Sequence, residues 1–290
     1  MDDRLQGVGM SRETLSETVT ALAELDAKGV TAEIFADIRQ TMRIPALTSI
    51  WRTMAASEED LVATWQAVKP LYSTGQPEAA LIRLRTEANL PDLGSVDKDE
   101  LASAGLANDD IATATNILAS YNRSNSLNLL TQTALVSERH GTYIEIPAVE
   151  PQAEIGELPR LLPREEISDP VWDVILKVNE YGTTPEDTGL ATIYRHLAYW
   201  PGLIEVMQDR LEQAQQVGSI PIGAVSVVEI ALEEGSRMAH LLDETDVNAI
   251  SDFALNKIAD YVDGPFHVAR IVNIGAALSR WLDTALPAAS

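Results

Sequence analysis

The sequence predicts an all-α protein, and three observations lead to this prediction. Hydrophobic residues make up 46% of the 290 residues, whereas aromatic residues make up only 5%. Ala and Leu predominate over Val and Ile, and they have the highest intrinsic helix propensities among the aliphatic residues. Strand patterns are almost absent, since the only run with a period of two is TYIEI at 142–146. A chain of this length can bury one large core or two medium ones.

Several of the expected helices have recognisable starts and ends. Ser57 is placed to cap a helix whose first turn carries three acidic residues, and Pro70 should end that helix. A second helix is expected to start at Asn108. A third should have Pro201 in its first turn and Gly218 just beyond its end. We expect about five or six helices in each half of the chain.

Two stretches half a chain apart resemble each other. LTSIWRTMA at 47–55 and LATIYRHLA at 190–198 share Leu, Ile, an aromatic residue, Arg and Ala in the same order, with an offset of 143 residues. A second pair of similar segments lies upstream of these stretches, EIFADIRQTM at 33–42 and PVWDVILKVN at 170–179. A third pair lies downstream, TNILASY at 115–121 and LNKIADY at 255–261, so the three pairs occur in the same order in both halves. The sequence therefore predicts a tandem duplication of a helical unit, packed as an intramolecular pseudo-dimer with a ligand-sized cleft on its axis.

The boundary between the two units is expected in a proline-rich stretch. Residues 145–170 contain five prolines and alternate acidic with small apolar residues, a composition typical of an extended linker. We accordingly divide the chain into a first helical repeat at 1–144, a linker at 145–169 and a second helical repeat at 170–290.

Charge and composition exclude several functions and partners. The net charge of -23 argues against binding to nucleic acid and to anionic membranes, which both require a basic surface. Such an acidic, Lys-poor chain is typical of a salt-adapted host, although an ordinary acidic cytoplasmic protein has the same property. The N-terminal residues are polar and acidic, and no apolar run approaches the roughly 18 residues of a membrane span. We expect a soluble, cytoplasmic protein.

The sequence contains no motif for a metal or a cofactor. There are no cysteines, which excludes disulfides, Cys-ligated zinc and a Cys nucleophile. The four histidines have no metal-binding spacing, so we interpret them as surface or hydrogen-bonded structural residues: His140, His196, His240 and His267. No GxSxG, GxGxxG or Walker pattern occurs either.

A polar run interrupts an apolar helical pattern in LASYNRSNSLNLL at 118–130. Polar side chains inside a buried helix destabilise it unless they are hydrogen-bonded. One interpretation is a turn between two helices, capped by Asn and Ser. The other is that Asn122 or Asn125 projects into the cleft and hydrogen-bonds a small anion or a water molecule.

Three segments resemble the group I, non-stereospecific 2-haloacid dehalogenases. DIRQTMRIP at 37–45 is similar to the start of that family, HLAYWPGLI at 196–204 to its Ala-Leu-Ala-x-Trp-Pro segment, and YNRSNSLNLLTQTAL at 121–135 to its Phe-Asn-Tyr-x-Asn stretch. The resemblance implies an all-helical tandem repeat that needs no cofactor. It also implies a reaction on a small-molecule carboxylate, in which water activated by an Asp attacks the α-carbon of a short 2-haloacid and displaces halide with inversion.

The resemblance also assigns residues to the site. The family's base lies in a Ser-Asp-aromatic triplet, which here reads Thr192-Ile193-Tyr194. Thr192 keeps a hydroxyl group, but Ile193 cannot accept a proton, so the chain is expected to be a divergent relative without the catalytic Asp. Asn122 matches the Asn with which the family positions water or substrate.

The halogen pocket is expected to be wider than in the family, because Ala46 and Ser49 occupy positions where the family has Trp and Phe.

Three interpretations of the function remain open. The base has moved, with Asp187 or Glu186 as substitutes; or the cleft acts on a different small acid or a larger substrate; or the protein is a non-enzymatic binding or structural protein. A homodimer is compatible with each of them.

Overall fold

The computed structural model describes residues 24–140, 142–183, 189–263 and 268–286, and the regular structure in these ranges is entirely helical. The first six helices are α1 (Gly29–Met42), α2 (Ser49–Met54), α3 (Glu58–Ser73), α4 (Gln76–Glu87), α5 (Lys98–Ser103) and α6 (Asn108–Val136). The other seven are α7 (Asp169–Glu180), α8 (Thr192–His196), α9 (Pro201–Gln216), α10 (Ser219–Ala239), α11 (Glu244–Asn248), α12 (Asp252–Val262) and α13 (Val268–Asp283). The all-α prediction is confirmed for these ranges.

Most of the predicted helix ends agree with the structure. The Ser57 hydroxyl accepts a hydrogen bond at 3.2 Å from the backbone N–H three residues later, so it caps α3 as expected. Pro201 is the first residue of α9, and Gly218 follows that helix in the left-handed conformation, with a φ of 75°. Pro70 does not end α3, which continues to Ser73. A proline in the last turn removes a single helical hydrogen bond, which the packed helix tolerates.

The three long helices α6, α10 and α13 form the centre of the molecule, and each pair approaches closely at a glycine. Between α10 and α6, a Cβ atom on Gly235 would lie 2.5 Å from Thr133 Cγ2. Between α13 and α6, a Cβ atom on Gly275 would lie 2.1 Å from Asn122 Oδ1. Between α10 and α13, a Cβ atom on Gly223 would lie 2.4 Å from Asn273 Nδ2. Only glycine fits at these contacts without a shift of the neighbouring atoms.

The buried apolar side chains form two cores, and both cores draw on both halves of the sequence. The first core combines α1–α4 with the C-terminal part of α6, most of α10, α12 and the N-terminal part of α13. The second combines α5 and α7–α9 with the N-terminal part of α6 and the C-terminal part of α13. Helix α6 therefore contributes to both cores. The boundaries of the proposed repeats remain a prediction.

The segment between α6 and α7 contains no α-helix among its described residues; a single 3-10 turn lies at Arg164–Glu166. Polar contacts hold its extended part against the helices. Arg43 Nη1 donates to the carbonyls of Pro151 and Gln152 at 3.0 and 2.9 Å, and Asn116 Nδ2 donates to the Gly156 carbonyl at 3.2 Å.

None of the described helices is both long and apolar enough to cross a bilayer by itself. Helices α9 and α10 meet that criterion only when taken together, and they are bent by 81° at the break between them.

Candidate functional site

A cavity of about 620 Å³ lies between the two repeated segments. The first segment and the two residues before it contribute residues 45–49, 52 and 53, and the second segment and the residue before it contribute residues 189–193 and 196. The remaining wall consists of Glu24, of Tyr121 and Asn125 from α6, of residues 157–159 and 161 from the extended segment, and of Tyr261, Val268, Arg270 and Ile271 near the C-terminus. Both copies of the repeated sequence thus face one shared cavity.

Five of the residues expected at the site from sequence line this cavity: Ala46, Ser49, Asn125, Thr192 and Ile193. Ile193 is buried and apolar, so it offers no proton acceptor to the cavity. The substitute acids Glu186 and Asp187 lie outside the described residues.

Asn122, which we expected to contact substrate, does not line the cavity. Its side-chain nitrogen donates to the Gly275 carbonyl at 2.8 Å and to Ser279 Oγ at 2.7 Å, both on α13. The physical reason is the direction of the side chains on α6: Asn125 lies four residues after the cavity residue Tyr121, on the same face, whereas Asn122 faces α13. Asn125 therefore reaches the cavity while Asn122 packs against α13.

Of the two interpretations of the polar run, the turn between two helices is wrong, because α6 continues without a break from Asn108 to Val136. Contacts with other helices satisfy much of the run. Arg123 is buried, donates from Nε to the Met42 carbonyl at 2.7 Å and forms an ion pair with Glu78. Asn128 accepts from Trp51 Nε1 at 2.8 Å and donates to Thr48 Oγ1 at 2.5 Å. Polar residues in this helix therefore join α6 to the first core.

Arg52 is a cavity residue that the sequence analysis did not assign. Arg52 lines the cavity, and its Nε is buried without a hydrogen-bond partner among the described residues. Its counterpart in the second copy, Arg195, donates to the Leu162 carbonyl at 2.9 Å and does not line the cavity. The signal that could have identified Arg52 is the repeat itself, since an Arg occupies the same position in both copies.

His196 and Tyr121 form a hydrogen-bonded pair on the cavity wall. His196 Nε2 lies 2.6 Å from the Pro159 carbonyl oxygen, and Nδ1 lies 3.1 Å from Tyr121 Oη. A carbonyl can only accept, so Nε2 carries the proton, and Nδ1 of the neutral ring accepts from the Tyr121 hydroxyl. Burial lowers the pKa of His196, Arg195 lowers it further, and the bond to Pro159 acts in the opposite direction. The imidazole is therefore neutral at pH 7.

His196 is buried and hydrogen-bonded, as we expected of a structural histidine, but it also faces the cavity. The sequence contained a signal for the pair. Tyr121 stands where the resemblance has Phe, and His196 stands where it has the first Ala of Ala-Leu-Ala-x-Trp-Pro.

Two described carboxylates line the cavity, Glu24 and Glu157. Both oxygens of Glu24 are engaged, because Oε2 pairs with Arg39 Nη1 at 2.6 Å and Oε1 accepts from the Leu47 N–H at 2.7 Å. Glu157 is an exposed residue of the extended segment. No group of three His, Asp or Glu side chains within the described parts of the chain is arranged to hold a metal ion.

Comparison with known proteins finds distant relatives that belong to one class of enzyme. No family model matches the sequence. A configuration-inverting 2-haloacid dehalogenase from Alcaligenes xylosoxydans xylosoxydans is 25% identical over 199 residues, which cover 66% of this chain and 67% of the relative. A second configuration-inverting 2-haloacid dehalogenase, from Pseudomonas sp. (strain 113), is 23% identical over 235 residues, which cover 77% and 76%.

Solved structures of D-2-haloacid dehalogenase share the fold. A mutant enzyme superposes with a TM-score of 0.68 at 17% identity, and a complex with L-LA superposes with a TM-score of 0.67 at 17% identity. Each match covers 90% of this chain and 95% of the other. The comparisons do not support the finer assignment to the non-stereospecific group or the absence of a catalytic Asp. The chain has the fold of D-2-haloacid dehalogenase and is a distant sequence relative of the configuration-inverting 2-haloacid dehalogenases.

Proposed function

We propose that the cavity binds a short 2-haloacid and that the protein hydrolyses it, with water attacking the α-carbon and halide leaving with inversion. The observation that carries the proposal is Arg52, a cation on the cavity wall whose Nε is buried without a partner among the described residues. A buried donor without an acceptor costs about 1–3 kcal/mol, and a bound carboxylate would remove that cost with a charge-assisted hydrogen bond.

The rest of the wall suits the other parts of such a substrate. Asn125 and Thr192 supply an amide and a hydroxyl that can orient the carboxylate or the attacking water. Ala46, Leu190 and Ile193 supply apolar surface against which a halogen atom can pack. Small-molecule sites typically combine apolar surface with polar groups that fix the orientation of the ligand.

The reaction requires a group that accepts a proton from the attacking water. By the resemblance, the family's carboxylate would stand at Ile193, so the base of this protein must lie elsewhere. Asp187 and Glu186, close in sequence to Thr192, are the substitutes that the sequence suggests.

We also propose that the cavity lies on the axis of a tandem duplication. Two correspondences support this. The helices α2 and α8 carry the repeated segments and both line the cavity. The left-handed glycines Gly75 and Gly218, which are 143 residues apart like the repeated segments, immediately precede α4 and α10.

A larger acid is the second candidate substrate, and the cavity volume favours it. About 620 Å³ falls within the range of pockets that bind drug-sized ligands, roughly 300–1,000 Å³, and exceeds what a three-carbon acid fills. Replacement of the family's Trp and Phe by Ala46 and Ser49 is consistent with this excess volume.

The test is halide release from both enantiomers of 2-chloropropionate and from longer 2-bromoacids, with the configuration of the hydroxy-acid product determined by chiral chromatography. We expect turnover with inversion. Arg52→Gln should raise KM strongly, whereas Arg210→Gln, a change at an ion pair outside the cavity, should leave the kinetics unchanged.

Absence of halide release and absence of a thermal shift with any of these acids would refute both binding and turnover. If the wild-type protein were inactive and Ile193→Asp gained activity, the cavity would bind haloacids without hydrolysing them, and a binding protein would be the better description.

A further inference from the structure

We propose that Tyr121 and His196 together accept the proton of the attacking water, with Tyr121 facing the water and His196 receiving the proton through it. This inference rests on the proposed function and supplies the base that the proposed reaction needs.

The pair is placed at the position where that base must act. Both side chains line the cavity, and their rings meet edge to face with centroids 5.8 Å apart. His196 follows Ile193 by three residues on α8, so the two side chains are neighbours on one face of that helix. The imidazole thus lies about one helical turn from the position that the resemblance assigns to the family's carboxylate.

The hydrogen bonds of the pair prepare it for proton transfer. The carbonyl of Pro159 fixes the ring in the tautomer with the proton on Nε2. The lone pair on Nδ1 is then directed at the hydroxyl of Tyr121. When the ring becomes charged, the same carbonyl stabilises the imidazolium at Nε2. A base that is oriented by a third group follows the logic of known catalytic triads.

The proposed step conserves atoms and charge. One O–H bond of water breaks, and its proton passes to Tyr121 Oη while the Tyr121 proton passes to His196 Nδ1. The water oxygen forms a bond to the α-carbon as the carbon–halogen bond breaks and halide leaves with the bonding electrons. The imidazolium afterwards releases its proton to solvent.

Other described groups on the wall are less suited to this role. Both oxygens of Glu24 are engaged by Arg39 and by the Leu47 N–H. Glu157 is exposed to solvent, so its carboxylate is well hydrated. The neutral imidazole of His196 is buried and faces the cavity through Tyr121.

The charges around the pair determine the expected pH profile. Arg195 lies next to His196 on α8 and lowers its pKa. The other described charged groups on the same cavity wall are Glu24, Arg52, Glu157 and Arg270. Because the pKa of His196 is held below its ordinary value of 6.5, kcat/KM should fall only when the pH drops below that value.

The experiment compares Tyr121→Phe and His196→Asn with two matched controls, Tyr199→Phe and His240→Gln, which lie outside the cavity. The substrate is the 2-haloacid with the highest wild-type turnover, and circular dichroism and thermal unfolding verify the fold. We expect both cavity variants to lose about 10²- to 10⁴-fold in kcat with little change in KM. The controls should retain wild-type kinetics, and the acidic limb of the pH profile should disappear in His196→Asn.

Two further variants, Glu186→Gln and Asp187→Asn, separate the possible failures. Suppose that the wild type is active and that Tyr121→Phe and His196→Asn keep its kcat and the acidic limb of its pH profile. If Glu186→Gln or Asp187→Asn then abolishes turnover, the inference is wrong while the proposed function stands. If the wild type releases no halide from any substrate, the proposed function fails and this inference with it. If His196→Asn does not fold, the kcat and pH profile of Tyr121→Phe decide the question.

Discussion

Two buried arginines, one in each half of the chain, make similar contacts with a helix end, but their surroundings differ. Arg123 on α6 donates to the Met42 carbonyl at the end of α1, and Arg270 on α13 donates to the Asn179 and Tyr181 carbonyls at the end of α7. Each guanidinium therefore binds the carbonyls that a helix C-terminus leaves unpaired. Arg123 also forms a buried ion pair with Glu78, whereas Arg270 lies on the wall of the cavity.

The difference shows that the same kind of contact, an arginine bound to a helix end, can serve two purposes. In the first half, the guanidinium serves the packing of α1, α4 and α6. In the second half, the same kind of contact holds α7 and also places positive charge beside the proposed substrate. Substitutions at the two arginine sites should separate these uses, and two smaller effects are expected elsewhere in the molecule.

Removal of the charge at Glu78 should have the largest effect. Glu78→Gln leaves the buried guanidinium of Arg123 without its counter-charge, and breaking a buried ion pair in this way costs about 3–5 kcal/mol. Urea unfolding measures the change. The control is Glu87→Gln, which removes an exposed carboxylate of the same chemistry from Arg83 and should change stability by less than about 1 kcal/mol. Equal losses in the two variants would mean that the ion pair of Arg123 contributes no special stability.

Substitution at Arg270 should affect stability less and substrate binding more. Arg270→Met removes donors from two helix-terminal carbonyls, a loss of about 1–3 kcal/mol. It also removes a cation from the cavity, so the KM for a 2-haloacid should rise. Arg123→Met should destabilise the protein without a specific effect on KM. Unfolding and kinetics measured on the same preparations test this, and an unchanged KM in Arg270→Met would contradict a role for it at the cavity.

The aromatic residues of the repeated segments differ in their hydrogen bonds, and this difference should appear in the stability of the protein. Trp51 donates to Asn128, whereas the hydroxyl of Tyr194 is buried without a hydrogen-bond partner among the described residues. Asn128→Ala should therefore cost about 1–3 kcal/mol beyond its lost packing, because it leaves the indole N–H unpaired. Tyr194→Phe should be neutral or slightly stabilising, as measured by the midpoint of urea unfolding. A clear loss of stability in Tyr194→Phe would indicate that its hydroxyl has a partner, such as a buried water molecule.

The smallest expected effect is the dependence of stability on pH through His196. Its folded pKa lies below the unfolded value of 6.5, so the unfolded chain binds more protons as the pH falls below that value. The contribution of the neutral ring to stability is complete above pH 6.5 and is lost as the pH falls through the folded pKa. The difference in unfolding free energy between the wild type and His196→Asn should shrink in this window. A constant difference from pH 7 to pH 5 would contradict the lowered pKa.

The sequence was sufficient for the features that depend on local chemistry. Ser57, Pro201 and Gly218 mark helix ends because capping and backbone conformation are determined within a few residues. The family resemblance also assigned Ala46 and Ile193, which lie far apart in the chain, to one site, and both line the cavity.

Features that depend on tertiary contacts were not predictable in the same way. The polar run of α6 looked like a break in the helix, since the partners that satisfy it, such as Glu78 for Arg123, lie on other helices. Asn122 was assigned to the substrate by the family resemblance, and nothing in the sequence reveals that its amide is hydrogen-bonded to α13 instead. Tyr121 and His196 are 75 residues apart, and their hydrogen bond became visible only in the folded chain.

Helix α6 has a consequence for how the protein unfolds. Its 29 residues extend about 44 Å, and its two ends are embedded in different cores. Unfolding of either core would therefore also remove contacts that this helix makes with the other core. Although the sequence reads as two units, we expect the thermal transition to be a single cooperative event, and a fragment that carries one half alone to lack an independent melting point.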